Sequence, residues 1–220
     1  SSRNFERCFA LLRGFLADPS HRDFFRTQSL TQALGDTAHG GLKFIQLAKA
    51  WELAETLAWK DADQILFPSF HFLVLGPCRD ELAARVGAAG QLAIPDQAGD
   101  PVSPEDLSQL ENQVLYSDDS MAALDGLARL AGQGHGFSSI HEALLLVAAQ
   151  ALNNAQVGRW LSPLRAFLYA ESCRVWAQQV PAREKGQGLA LACLLIQQAS
   201  GKSRESPENR VVVDLAERIC

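Results

Sequence analysis

Residues 138–181 read SSIHEALLLVAAQALNNAQVGRWLSPLRAFLYAESCRVWAQQVP, and they combine the strongest helix-start signal of the chain with its longest apolar periodicity. Ser139 and Glu142 have the spacing of a capping box, which predicts that a helix begins here. Ser162-Pro163 predicts the start of a second helix, because serine is a common N-cap and proline suits the first helical position. The short link between the two helices predicts an antiparallel helical hairpin.

Apolar residues at three- and four-residue steps predict helices along most of the remaining chain. One is predicted to open at Asp36, after a left-handed Gly35, and to reach Leu57. The apolar run 63–75 contains Pro68, which argues against a strand and suits the first turn of a helix. The sequence therefore predicts an all-α fold, either an antiparallel helical bundle or a short α-solenoid of about eight to ten helices.

Length and composition favour one helical domain over residues 1–220. The chain has 220 residues, of which 47% are hydrophobic, so it can bury a substantial core. Glycine and proline collect near residues 90–104, which predicts a mobile loop. Behind Ser206-Pro207 a last helix is predicted through Val212, and the three valines at 211–213 make a short strand the alternative.

The cysteines and the apolar runs bear on localisation. Five cysteines are scattered without a C-x-x-C pair, so we expect the cytoplasm or another reducing compartment. No apolar run approaches the roughly 20 residues of a membrane span. The chain begins Ser1-Ser2 without methionine, as a trimmed or processed form would.

Charge is unevenly distributed along the chain. Residues 61–130 hold twelve acidic and three basic side chains, a net charge of −9, and the rest of the chain sums to +4. We therefore expect another protein as the partner, with the acidic 61–130 region facing its basic groups. A negative chain without a dense basic stripe argues against nucleic acid. The sequence gives no indication of an oligomeric state.

Two segments of the chain resemble each other weakly. His39 opens a long apolar helix that is followed by Leu66-Phe67-Pro68, and His141 opens another that is followed by Leu161-Ser162-Pro163. Two readings stand side by side: two related helical hairpins, or the chance likeness of Ala- and Leu-rich helices.

His39, His71 and His141 are the candidate metal ligands, since each falls in an apolar helical segment. Di-iron bundles need Glu-x-x-His pairs, and no glutamate in this chain has a histidine three residues later. We therefore expect histidines near helix ends that bond to carbonyls or water, with no catalytic residue, no metal and no cofactor.

Three glutamates are candidates for acid–base groups. Glu52 and Glu55 share a helix with Lys49, which predicts solvated side chains. Glu171 lies in an otherwise apolar helix, where a buried carboxylate would have a raised pKa, and an exposed edge position is the more ordinary reading.

The segment Phe137-Ser-Ser-Ile-His141 resembles part of the questin-oxidase-like helical proteins. The likeness covers five of 220 residues before the spacing departs. No activity and no residue role is therefore carried over from that family.

Two functions remain as hypotheses. Abundant helices, missing catalytic motifs and a charge-segregated middle favour a non-catalytic protein–protein interaction or scaffold domain, a subunit or adaptor of a larger complex. The alternative is a helical-bundle enzyme, or a small-ligand or metal-binding protein, that uses His39, His71 or His141 around an internal pocket.

Overall fold

The computed structural model describes residues 2–89, 92–95 and 99–201, and throughout these ranges the regular structure is helical. The ten α-helices are α1 (Ser2–Ala17), α2 (Pro19–Leu34), α3 (Leu42–Thr56), α4 (Ala62–Leu75), α5 (Glu81–Ala89), α6 (Pro104–Leu115), α7 (Ser120–Gly132), α8 (Phe137–Asn153), α9 (Leu161–Ala177) and α10 (Ala182–Gly201). A short 3₁₀ helix, Ala38–Gly40, precedes α3. The all-α prediction is confirmed.

The last two helices form the centre of the fold. Helix α10 packs most extensively on α9 and also touches α5, α6, α7 and α8, while α9 also contacts α2, α3 and α8. Helix α1 lies at the edge, against α2 and α4. Because helices distant in sequence share one core, the arrangement is a bundle rather than a solenoid, in which each repeat touches only its neighbours.

Large aromatic and aliphatic side chains fill this core. Residues 189–196 of α10 are all buried. In the part of the chain that the structure describes, no helix has the length and apolar character needed to cross a membrane. The fully buried side chains of greatest volume are Trp51, Trp176, Tyr169, Phe44, Leu30, Leu34, Leu47 and Leu66.

Several helix starts agree with the sequence. Ser103 caps α6, since its Oγ accepts the N–H of Asp106 at 3.1 Å. Asp119 caps α7 by accepting the N–H of Met121 at 2.8 Å. Such caps satisfy backbone donors that the helix itself leaves unpaired, which makes the signal local and readable.

The predicted capping box of Ser139 and Glu142 is wrong. Helix α8 begins at Phe137, and Ser139 lies inside it, where its Oγ donates to the carbonyl of Gly99 at 3.0 Å. The ring of Phe137 stacks on His141 one turn later, with centroids 5.5 Å apart, and this contact extends the helix toward its N-terminus. Ser162-Pro163 likewise lies within the first turn of α9.

The helix predicted to open at Asp36 begins instead at Leu42. The intervening residues include His39, Gly40 and Gly41, all with positive φ, whereas Gly35 has an ordinary φ of −72° in place of the left-handed conformation expected there. At Gly41 a Cβ would overlap the ring of Tyr169. The close approach of α9 therefore fixes the conformation of the connection before α3, and the helix begins only at Leu42.

Helix α4 is confirmed as a helix, but Pro68 lies inside it rather than in its first turn. In the loop near 90–104, Ile94 is buried in the core, and the predicted mobility of this loop stays a prediction. The helix or strand predicted behind Ser206-Pro207 lies outside the described residues.

Candidate functional site

The three candidate histidines lie on three separate elements. His39 is exposed in the 3₁₀ helix, His71 is exposed on α4 beside the ring of Phe67, and His141 is buried on α8. Within residues 2–89, 92–95 and 99–201, no three His, Cys, Asp or Glu side chains form a group that could hold a metal ion. The fold therefore does not gather these candidates into one site.

His141 holds two helices together. Its Nε2–H donates to the carbonyl oxygen of Ala170 on α9 at 2.8 Å. Burial lowers the pKa of His141, and this outweighs the hydrogen bond to Ala170, which favours the charged form. The ring is therefore neutral near pH 7 and links α8 to α9.

A network of four charged side chains lies between α3 and α9. Lys49 donates to Glu52 at 2.8 Å and also binds Glu171. Arg174 lies 3.4 Å from Glu171 and 3.7 Å from Glu52. Burial acts to lower the pKa of Lys49, but the hydrogen bonds that it donates to the two carboxylates outweigh burial and raise the pKa. The alternating charges neutralise one another, which suits a structural link between helices better than acid–base chemistry.

Each of the three glutamates forms an ion pair. Glu171 is about one-quarter exposed and paired, neither an isolated buried acid nor an open edge residue. Glu55 is exposed, in line with its solvated prediction, and also pairs with Arg26 of α2, whereas Glu52 is less exposed and pairs with Lys49 on its own helix. The contact of Glu55 could not be read from spacing along one helix, because Arg26 lies on α2.

The acidic 61–130 region is divided by the fold. Its first acids lie on or near α4 and α5, where Asp63 pairs with Arg13 of α1 at 3.2 Å. Its densest part is the antiparallel hairpin of α6 and α7, where six acidic residues and one basic residue give a net charge of −5 over residues 104–132. Arg129, the basic residue, pairs with Asp106.

The turn of this hairpin, residues 116–121, is here named the acidic tip. Tyr116 and Met121 at its two ends are 45% and 48% exposed. Asp118 and Asp119 lie between them and are also exposed. Large apolar side chains and carboxylates are therefore exposed together on one short turn.

The acidic tip is fixed from the inside by Gln197 of α10. The Gln197 amide donates to the carbonyls of Ser117 at 3.0 Å and Asp119 at 3.1 Å, and the side chain is buried. Within the turn, the N–H of Asp119 donates to the Ser117 hydroxyl at 3.1 Å. The backbone of the tip is therefore held in one conformation by a residue some 80 positions away in sequence.

Sequence reasoning found the charge of this hairpin and missed Gln197. The available signal was a glutamine directly after the apolar run 190–196, since a buried amide needs hydrogen-bond partners.

No known protein family, curated protein or solved structure matches the chain. The interpretation of the tip therefore depends on its own geometry.

Proposed function

We propose that this chain is a non-catalytic protein-interaction domain, a subunit or adaptor, and that the acidic tip docks a basic, partly apolar segment of another protein. The observation that carries the proposal is the exposure of Tyr116 and Met121 on either side of Asp118 and Asp119. Tyrosine and methionine are enriched in protein interfaces relative to the rest of the surface.

Rigidity supports this function. The Gln197 hydrogen bonds already order the backbone of the tip, so binding loses less conformational entropy there than on a flexible loop. The four acids of residues 111–125 create a negative field that accelerates encounter with a basic segment and disfavours acidic ones. A basic partner therefore gains both speed and selectivity at this turn.

The test compares three versions of the whole chain as immobilised bait in an extract. The tip variant combines Tyr116→Ser and Met121→Ser, which removes the exposed apolar groups and leaves the Asp119 cap in place. The charge variant is Asp118→Lys. The matched control is Asp23→Lys, the same charge change at an exposed position on α2.

We expect the wild type and the Asp23→Lys control to retain the same basic protein, and the tip and charge variants to lose it. Raised salt should weaken the retention, because screening reduces attraction between exposed charges. Equal retention by all baits, or turnover of a small molecule by the isolated chain, would contradict the proposal.

A further inference from the structure

Within the part of the chain that the structure describes, one largely apolar face of α1 is left uncovered. Arg7, Ala10, Leu11, Gly14 and Phe15 recur at three- and four-residue steps, and with His21 of α2 they line an open groove of about 380 Å³. Leu11 is 57% and Phe15 39% exposed, while Leu12 and Leu16, on the other side of the helix, are buried in the core. Helix α1 thus carries apolar side chains on a second face, beyond the face that packs into the core.

Gly14 makes the floor of this groove. Apart from the backbone of α1 itself, no atom of the described residues lies within 4 Å of the position that a Cβ would take there, so packing among them does not require glycine. A glycine in the middle of a helix weakens that helix relative to alanine. The space above Gly14, walled by Leu11 and Phe15, fits a large side chain that comes from outside.

The ends of the groove carry opposite charges. Arg7 lies toward the N-terminal end of α1, and Asp18 follows the last residue of the helix. Positions 7, 11 and 14 have the four-three spacing of a helix-packing seam, and Asp18 lies just beyond the end of that seam, where its carboxylate also caps α2. Two copies of this seam, antiparallel and centred between residues 12 and 13, bring Arg7 opposite Asp18, Leu11 opposite Gly14, and Ala10 opposite Phe15.

This pattern is self-complementary in size and in charge. Large side chains of one copy meet small ones of the other. Arg7 of each copy faces Asp18 of the other, so the two-fold axis generates this ion pair twice. A parallel pairing would instead place Arg7 against Arg7 and Asp18 against Asp18, so the charges favour the antiparallel one.

We propose that a second copy of this chain docks in the groove, α1 against α1, to form a two-fold symmetric dimer. This surface is separate from the acidic tip and does not depend on it. The 16 residues of α1 extend about 24 Å, and a single helix pair buries less than the about 800 Å² per partner of a standard interface. The dimer should therefore dissociate in the micromolar range.

Sedimentation equilibrium of the full chain at about 1 to 100 μM brackets that range. Gly14→Leu fills the groove and should weaken the dimer at least about tenfold, the free-energy equivalent of losing one well-packed apolar contact at the interface. The matched control is Gly87→Leu on α5, where a Cβ also meets no atom within 4 Å, and it should leave association unchanged. Circular dichroism and urea unfolding check that both variants are folded, since leucine is the better helix former.

A double-mutant cycle tests the antiparallel register. Arg7→Gln and Asp18→Asn should each weaken the dimer, and the double variant should be no weaker than either single one, because the two changes remove the same contact. Asparagine keeps the acceptor that caps α2. The helix from Arg7 to Ala17 extends about 15 Å and Asp18 lies beyond its end, so such coupling cannot arise within one chain.

Each other outcome overturns the proposal. A monomer at every concentration denies the dimer, and a dimer that tolerates Gly14→Leu is formed by another surface. Additive effects of Arg7→Gln and Asp18→Asn deny the antiparallel arrangement.

Discussion

The Nζ of Lys43 lies 2.7 Å from a carboxylate oxygen of Asp36, and the two side chains are only 3% and 5% exposed. The same ammonium donates to the carbonyls of Leu73 at 3.1 Å and Gly76 at 3.0 Å. The other Asp36 oxygen accepts the N–H groups of Ala38 and Arg79. One buried ion pair therefore ties the connection before α3 to the end of α4 and the segment beyond it.

Lys43→Met should destabilise the protein by about 3–5 kcal/mol, because it leaves the Asp36 carboxylate buried without its cation. Urea unfolding followed by circular dichroism measures the change in the free energy of unfolding. The double variant Lys43→Met with Asp36→Asn should recover part of the loss, since the remaining amide is neutral. Lys60→Met, at an exposed position, is the control and should stay within about 0.5 kcal/mol of wild type. A Lys43→Met protein as stable as this control would show that the pair contributes nothing.

Gly41→Ala should destabilise the fold by about 2–5 kcal/mol. Gly41 has a φ of +74°, which costs an alanine roughly 1–2 kcal/mol. Its Cβ would also displace the ring of Tyr169, whose buried hydroxyl donates to the Leu34 carbonyl at 2.7 Å, at a further cost of about 1–3 kcal/mol.

The comparison for Gly41 is Gly158→Ala, in the loop before α9. Gly158 has a φ of +87° but no atom within 4 Å of its would-be Cβ, so this variant should lose only the conformational part. Thermal unfolding of both proteins separates strain from steric overlap. Equal losses would mean that the Tyr169 ring gives way freely.

The predictability of each element follows from the range of the interactions that fix it. Apolar spacing on one helix reports which face packs, so the helices can be predicted from sequence, and caps such as Ser103 and Asp119 are readable because their contacts are local. The predicted helix starts at Ser139 and Asp36 are wrong because these side chains bond to the backbone of Gly99 and of Arg79, which are distant in sequence. A cap and a tertiary contact use the same residue types.

The candidate site divides in the same way. The acids of α6 and α7 are visible as composition, whereas their rigid presentation depends on Gln197, which only the packing of α10 brings to the turn. The histidine candidates show the converse problem. His71 and His141 both lie in apolar helices, yet one is exposed and the other buried, since neighbouring helices decide which faces are covered.

The thiols of Cys173 and Cys193 should resist alkylation in the native protein, while Cys78 reacts. Burial raises the pKa of Cys193 to about 12 and that of Cys173 further, so neither forms the nucleophilic thiolate near neutral pH. Cys78 is exposed, and the negative charge of Asp36 raises its pKa, so it should react more slowly than a free thiol.

Iodoacetamide labelling with peptide mass spectrometry resolves each cysteine separately. In denaturing urea all three should label at similar rates, which provides the reference. Labelling of Cys173 as fast as Cys78 in the native state would contradict their placement.

His141 should make stability depend on pH between about 7 and 5. Burial lowers its folded-state pKa below the ordinary value of 6.5, so in this window the unfolded chain binds a proton that the folded chain does not. The stabilisation is fully present above about pH 7 and is lost as the pH falls through 6.5 toward the folded pKa, by at most about 1.4 kcal/mol per pH unit.

His141→Leu lacks the hydrogen bond to Ala170 and should be less stable than wild type at pH 7.5 by about 1 kcal/mol. At pH 5 that deficit should shrink or reverse, because leucine has no proton to exclude. Urea unfolding at the two pH values, with the difference taken between the two proteins, cancels the titration of all other groups. A His141→Leu deficit that is constant from pH 7.5 to pH 5 would mean that the buried ring does not exclude the proton.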